Sequence, residues 1–258
     1  MIWNLINLIF RLCGKIYFSN EKIDWLTALS LSKSYEDEII FNKLKKTYNS
    51  IKDKNIEFYE RDSCILKDKP NETDLIEFLQ KNIVINNNRE VLDYGGSLGS
   101  RFFSNYKFIK NNKIKWNIVE QKNIAKYGKS FLQNNLLSFY NDLGECFLEK
   151  NINCVIFSGS LQYLDNYNKI LKEIKKAKIK YVFLDNLPLS DYKRHRIFVQ
   201  NISKKIYDSS YPIRIFSKSL FLDEVKKLNF SITDLHKHKT VFYGFSYTTL
   251  VLKNLDIS

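Results

Sequence analysis

The run Val91-Leu92-Asp93-Tyr94-Gly95-Gly96-Ser97-Leu98-Gly99-Ser100 places a carboxylate directly before three of the chain's eight glycines. Glycine reaches positive φ and carries no Cβ, so such a turn lets the backbone pass close beneath a bulky ligand. The spacing differs from the dinucleotide fingerprint G-x-G-x-x-G, in which a pyrophosphate lies over the loop and an acid about 20 residues on holds a ribose. Asp93 would repel a pyrophosphate; it suits a ligand with a cationic centre and a free amino group. A second acid, Glu120, closes the apolar run Lys115-Trp116-Asn117-Ile118-Val119, with Gln121 beside it. At that place it is expected to accept hydrogen bonds from two ribose hydroxyls, the plainer alternative being that it caps the next helix.

These side chains need a sheet to hold them. Short β-prone runs at Glu90–Tyr94, Lys115–Glu120, Leu136–Tyr140, Asn153–Phe157 and Lys180–Asp185 read as strands, followed by Asn229–Asp234 and Thr248–Leu252. Continuous apolar runs such as Cys154-Val155-Ile156-Phe157 are what strands buried on both faces require. Between them, Asn168–Lys178 carries Ile170, Leu171, Ile174 and Ala177 at helical spacing. Strand and helix therefore alternate at the length of βαβ units. The late pair reads as an antiparallel hairpin completing a seven-stranded, doubly wound α/β sheet. Helical patterns at Trp25–Ser34, Asp37–Asn49 and Thr73–Asn82 form an N-terminal helical cap, which divides the chain into a cap over residues 1–84 and a Rossmann-like domain over 85–258.

Asp93, Gly95 and Gly99 together resemble the first motif of the Rossmann-like class I methyltransferases that use S-adenosylmethionine, a ligand with a sulfonium centre and a free amino group. The resemblance implies that Asp93, Tyr94, Gly95, Gly96, Gly99, Glu120 and Gln121 hold this cofactor. It also implies that Phe139 and Tyr140 lie near the adenine and that the Ser158-Gly159-Ser160 break opens beside the methyl group. A narrower resemblance rests on five segments in order: Tyr59-Glu60-Arg61-Asp62, Leu92–Gly99, Ser160-Leu161-Gln162-Tyr163-Leu164, Leu184–Leu189 and Ser210-Tyr211-Pro212. From about Trp25 onward the chain is similar to a methyltransferase family encoded with bacterial surface-polysaccharide (O-antigen or capsule) genes. That implies methyl transfer to a sugar or sugar-linked group, without identifying the acceptor. One departure is visible: Asn186 stands where the family pattern has an arginine after the aspartate of the fifth strand.

Methyl transfer asks the protein to align a nucleophile with the methyl group and to take its proton. His195 is one candidate base, because histidine titrates near neutrality and the segment Asp191–Arg196 follows the strand that borders the acceptor. Asp185 is the other. Arg194 and Arg196 can hold a phosphate or carboxylate of the acceptor; the plain alternative is an exposed basic helical turn. Gln162 and Tyr163, together with Tyr59, Arg61 and Asp62 reaching over from the cap, are the expected acceptor contacts. His236 and His238 read as a lysine-rich surface turn, and no metal is expected.

The 258-residue chain is long enough for one full α/β domain with an accessory segment. Cys13, Cys64, Cys146 and Cys154 lack C-x-x-C or zinc spacing and read as reduced thiols of a cytoplasmic protein. The formal charge of +13 fits an acidic partner or AT-rich coding drift, with lysines scattered among Asn, Ile and Tyr. It keeps a nucleic-acid methyltransferase open, although the Asn/Asp-Pro-Pro-Phe/Tyr motif of base N-methylating enzymes is absent. A noncatalytic methyltransferase-fold scaffold in a glycan-assembly complex is the third reading. A small-molecule or glycan acceptor is the expected partner. Met1–Leu12 is apolar but interrupted by Asn4, Asn7 and Arg11, too short to cross a bilayer. It reads as a helix that packs on the domain or lies shallowly in the inner face of the membrane.

Overall fold

The computed structural model describes residues 16–257 except 20, 23, 34–37, 50–56, 62, 63, 203–208 and 242. Asp62 and the segment 1–12 therefore lie outside the described residues, and Arg61 is described by its backbone alone.

The chain opens with a short strand β1 (Tyr17–Phe18), then α1 (Trp25–Ser30), α2 (Glu38–Asn49), the hairpin β2 (Glu60–Arg61) with β3 (Cys64–Ile65), and α3 (Thr73–Leu79). Asp24 starts α1 by accepting the Thr27 N–H at 2.7 Å, as a side-chain cap should. Apolar positions Ile40, Leu44 and Tyr48 of α2, and Leu75, Phe78 and Leu79 of α3, enter one core with the sheet residues Val91, Trp116 and Phe139. The cap is thus packed on the sheet by its own hydrophobic stripes.

The sheet is built from β4 (Glu90–Tyr94), β5 (Lys115–Val119), β6 (Leu137–Tyr140), β7 (Cys154–Ser158) and β8 (Tyr181–Ser190), with helices α4 (Ser100–Ser104), α5 (Tyr106–Asn111), α6 (Lys122–Phe131), α7 (Leu143–Glu149) and α8 (Tyr167–Lys176) between them. β4 lies between β5 and β7, all parallel, with Asp93 opposite Ile118 and Ile156. β7 and β8 are parallel, β7 ending at Ser158 opposite Asp185 while β8 runs on to Ser190. Asp93, Glu120, Ser158 and Asp185 are therefore all delivered to the carboxyl edge of one sheet, where open α/β sheets bind ligands. The late strands β11 (Phe230–Val241) and β12 (Phe245–Asn254) form the expected antiparallel pair, β12 lying against β8.

Beyond those seven strands the sheet gains an extension. β9 (Arg196–Asn201) and β10 (Ser210–Ser217) form an antiparallel pair, β1 adds to β9, and β10 runs parallel to the end of β8 at Phe216–Leu189; α9 (Lys218–Lys227) follows. The described sheet therefore has ten strands rather than seven. The extension corrects the expectation of a basic helical turn at 193–196, because Arg196 begins a strand whose partner, at Ser210–Ser217, lies beyond the reach of local periodicity.

Candidate active site

The glycine turn takes the strained shape its composition foreshadowed. Gly95 and Gly99 have φ of 74° and 98°, in the left-handed region that favours glycine. Ser97 shares that region at φ 54°. The Gly95 N–H donates to Val119 O at 2.9 Å, and the Ser160 hydroxyl donates to Tyr94 O at 2.6 Å, tying the turn to the two neighbouring strand ends. A Cβ on Gly96 would lie 2.7 Å from the Asp93 carboxyl, so only glycine leaves that carboxyl its place.

Above the turn lies a cavity of about 1030 Å³. Asp93, Tyr94, Gly95, Gly96, Glu120, Gln121, Ser158, Gly159 and Ser160 line it, so nine of the expected cofactor residues meet in one place. Gly99 acts one turn beneath, accepting the Phe103 N–H at 2.9 Å. Phe139 and Tyr140 do not reach the cavity. Phe139 is fully buried, and its ring occupies the space a side chain at Gly128 of α6 would need. Tyr140, on the opposite face of β6, is buried beside Leu143 and donates its hydroxyl to Glu149 at 3.2 Å. Strand alternation accounts for both, and Asn141, the next residue, lines the cavity instead.

Asp93 is 1% exposed and accepts the Trp116 indole N–H at 3.3 Å. Burial pushes its carboxyl up to about 6, against the pull of Arg101 and Trp116. Glu120 is pushed up to about 7, again by burial, with the Asp93 charge adding to it and the Gln121 N–H opposing it. Two acids held this far above their ordinary range stand where a ligand's donors and positive charge would restore ionisation. A pH dependence follows. A ligand favouring the ionised acids must displace their protons, so its affinity should rise from pH 5.5 to 8, with protons released on binding near pH 7. Calorimetric titrations in buffers of different ionisation enthalpy check this; affinity independent of pH would exclude it.

The expected bases fare differently. His195 lies outside the cavity lining: its Nδ1 accepts the Ser217 N–H at 2.9 Å and its Nε2 lies 3.2 Å from Glu224. With Nδ1 accepting, the proton sits on Nε2, and neither nitrogen keeps a lone pair for a substrate. Arg194 and Arg196 both pair with Glu21, at 3.3 and 2.7 Å, and Arg196 also lies over the Tyr192 ring. Arg194 and Arg196, read as acceptor contacts, and His195, read as a base, thus stand outside the cavity lining, the arginines committed to Glu21. His195→Ala should leave turnover of any substrate unchanged and cost about 1 kcal/mol in stability, for two lost hydrogen bonds partly offset by hydration. Steady-state assays and thermal melts separate these outcomes.

Asp185 sits behind the cavity wall, with three donors on its Oδ2 and one on its Oδ1. It pairs with the Arg101 guanidinium and accepts from Ser158 Oγ at 3.3 Å, Asn186 Nδ2 at 2.9 Å and Thr249 Oγ1 at 2.9 Å. This is an anchor rather than a base. Arg101, absent from the sequence reading, joins Asp185 to Glu72, which it meets at 2.8 Å. Asn186 takes a left-handed φ of 54°, and Arg101 reaches Asp185 from α4. No local signal marks Arg101, since its partners stand 29 and 84 positions away.

From the cap, Glu60 lines the cavity and accepts from Ser100 Oγ and from Tyr48 OH at 3.3 Å. Its neighbour Tyr59 is half-buried outside the lining and accepts the Leu66 N–H through its carbonyl. Gln162 and Tyr163 line the cavity as expected, joined by Trp25, Gln200, Tyr211 and Tyr247. Among the described residues no group of three or more His, Cys, Asp or Glu side chains is placed to hold a metal ion, and no helix is long and apolar enough to cross a membrane.

No family model matches the chain, and no curated protein matches it in sequence. Solved structures resemble it in fold. The N-terminal domain of EvdMO1, crystallised in the presence of S-adenosylhomocysteine (SAH) and D-fucose, superposes with a TM-score of 0.52 at 9% identity, over 83% of this chain and 96% of that one. The [4+2]-cyclase SpnF gives 0.51 at 11% identity, over 84% and 93%. A SAM-dependent methyltransferase from Methanosarcina mazei gives 0.50 at 11%, over 69% and 97%. At these identities the likeness is one of fold: the chain has the Rossmann-like fold of class I methyltransferases.

Proposed function

We propose that this protein is an S-adenosylmethionine-dependent methyltransferase that O-methylates a sugar or sugar-linked group during bacterial surface-polysaccharide synthesis. The observation that carries the reading is the convergence on one cavity of the left-handed glycine turn, the buried Asp93 and the half-buried Glu120. Asp93 and the turn would hold the amino-acid end of the cofactor, Glu120 the ribose, and Gln121 with Asn141 the adenine side. When bound, the cofactor supplies an electrophilic methyl group; the chain has only to seat it, exclude water and present the acceptor. The fold is shared with neighbours crystallised with SAH and with D-fucose, which supports a small hydroxylated acceptor.

The volume supports two ligands. At about 1030 Å³ the cavity stands at the top of the roughly 300–1,000 Å³ range of small-ligand sites, and we read it as holding the cofactor with an acceptor beside it. SpnF carries the same fold and is a cyclase, so the fold alone does not fix the reaction. The deciding experiment is a calorimetric titration with SAH, followed by transfer of a labelled methyl group from S-adenosylmethionine to a panel of sugars and polysaccharide fragments. Binding and transfer together establish the reading. Binding without transfer to any acceptor favours the scaffold reading, and the absence of binding removes both.

A further inference from the structure

Two amides that line the cavity are held in opposite senses. Gln162, 2% exposed, donates its Nε2 to the Asn186 carbonyl at 3.3 Å, and no donor meets its Oε1. A carbonyl can only accept, so the amide cannot turn without setting two oxygens against each other. Gln200, 5% exposed, accepts the Tyr163 hydroxyl on its Oε1 at 3.0 Å, which leaves its Nε2 to donate. Both residues line the cavity. An acceptor and a donor, each with its sense fixed by the protein, thus belong to two residues that line one cavity, joined through Tyr163.

Flat aromatic surfaces surround them. Tyr163 meets Tyr211 edge-on at 5.0 Å, and Trp25 lies against the Arg214 guanidinium, 4.9 Å from the ring centroid. Arg214 itself is consumed by the Leu164 and Asp165 carbonyls and stands outside the lining. Among the described residues that line the cavity, four are acids, Glu60, Glu72, Asp93 and Glu120, and the one cation, Arg101, is committed to Glu72 and Asp185. An anionic ligand entering here meets an excess of negative charge with no described cation free to receive it. A buried orphan acceptor is costly until a ligand's O–H or N–H reaches it.

Resting on the methyltransferase reading, we infer that the acceptor is an uncharged, hydroxylated ring, seated on the aromatic walls and oriented by Gln162 Oε1 and Gln200 Nε2, and that the site rejects the same ring bearing a carboxylate. This replaces the anion-binding role first read into Arg194 and Arg196.

The test uses matched pairs of methyl hexopyranosides and the corresponding methyl hexopyranosiduronates at pH 8, on the full chain saturated with SAH. Ligand-observed NMR gives binding, and methyl uptake from labelled S-adenosylmethionine gives kcat/KM. The neutral member should bind at least about tenfold more tightly, and Gln162→Leu should lower its kcat/KM by about 10–100-fold with unchanged affinity for SAH, the usual loss when one partner of a buried hydrogen bond is removed. Equal or better use of the uronates, or an unaltered kcat/KM in Gln162→Leu, overturns the inference and leaves the methyltransferase reading standing. So does binding of SAH with no glycoside bound at all. Failure of SAH itself to bind removes both. Should Gln162→Leu not fold, the matched pairs on the unaltered protein decide.

Discussion

Asp93→Asn is expected to lose tight binding of SAH while making the ligand-free protein more stable at pH 8. The two effects have one cause. Asp93 is buried at the head of the glycine turn, with its carboxyl raised from 3.8 to about 6 chiefly by burial. A carboxyl raised in the folded state favours folding when protonated, and that contribution is lost as pH rises through 6. At pH 8 the ionised Asp93 is therefore a penalty on the order of 2–3 kcal/mol in the empty protein. Asparagine keeps the shape and still accepts from Trp116, but carries no charge to neutralise. Removing one partner of a buried charge pair with a ligand costs about 2–5 kcal/mol of binding, or roughly 30–5000-fold. Calorimetry for the affinity and thermal melts at pH 5 and pH 8 check both halves; the gain in stability should fall by about half at pH 5 and vanish only below 3.8, where the carboxyl is protonated folded and unfolded alike. Retained affinity would show that the turn holds its ligand without Asp93.

The second large effect concerns Arg101→Leu, which should cost about 3–5 kcal/mol, because it leaves the buried Glu72 and the part-buried Asp185 without their shared partner. The guanidinium bridges two elements far apart in the chain: Glu72 opens α3 and Asp185 lies in β8. Lysine carries the charge but presents a single point donor, so Arg101→Lys should recover only part of the loss. The triple variant Glu72→Gln, Arg101→Leu, Asp185→Asn should be more stable than Arg101→Leu alone, since it withdraws both stranded charges. Chemical denaturation of the four proteins measures the coupling. If Arg101→Leu alone unfolds at the original denaturant concentration, the triad does not secure the cap.

Local chemistry made part of this protein readable from its residues. Glycines at 95 and 99 follow an apolar strand, and a residue after such a strand must emerge at the carboxyl edge; this placed Asp93 and the turn on the cavity. The same reasoning placed Glu120 after Val119 and the Ser158-Gly159-Ser160 break after Phe157. Seven strands were legible because burial on both faces demands unbroken apolar runs. Phe139 and Tyr140 show the limit of that reading: a strand's end faces the ligand, yet its last residues alternate between two cores, and Gly128 of α6 leaves room for Phe139 in one of them.

Tertiary structure alone decided the rest. Arg101, Glu72 and Asp185 are distant in the chain and meet only because α4, the cap and β8 converge, so no spacing rule joins them. Gln200 reaches Tyr163 through the β9–β10 extension, whose pairing of Gln200 with Tyr211 no periodicity marks. That extension also turned His195 away to Ser217 and Glu224, against the suggestion of its neighbours in sequence. Backbone turns and buried strands are set within a few residues, by φ preference and hydrophobic runs, whereas the partner of a charge or an amide is set by which elements the folded core brings together.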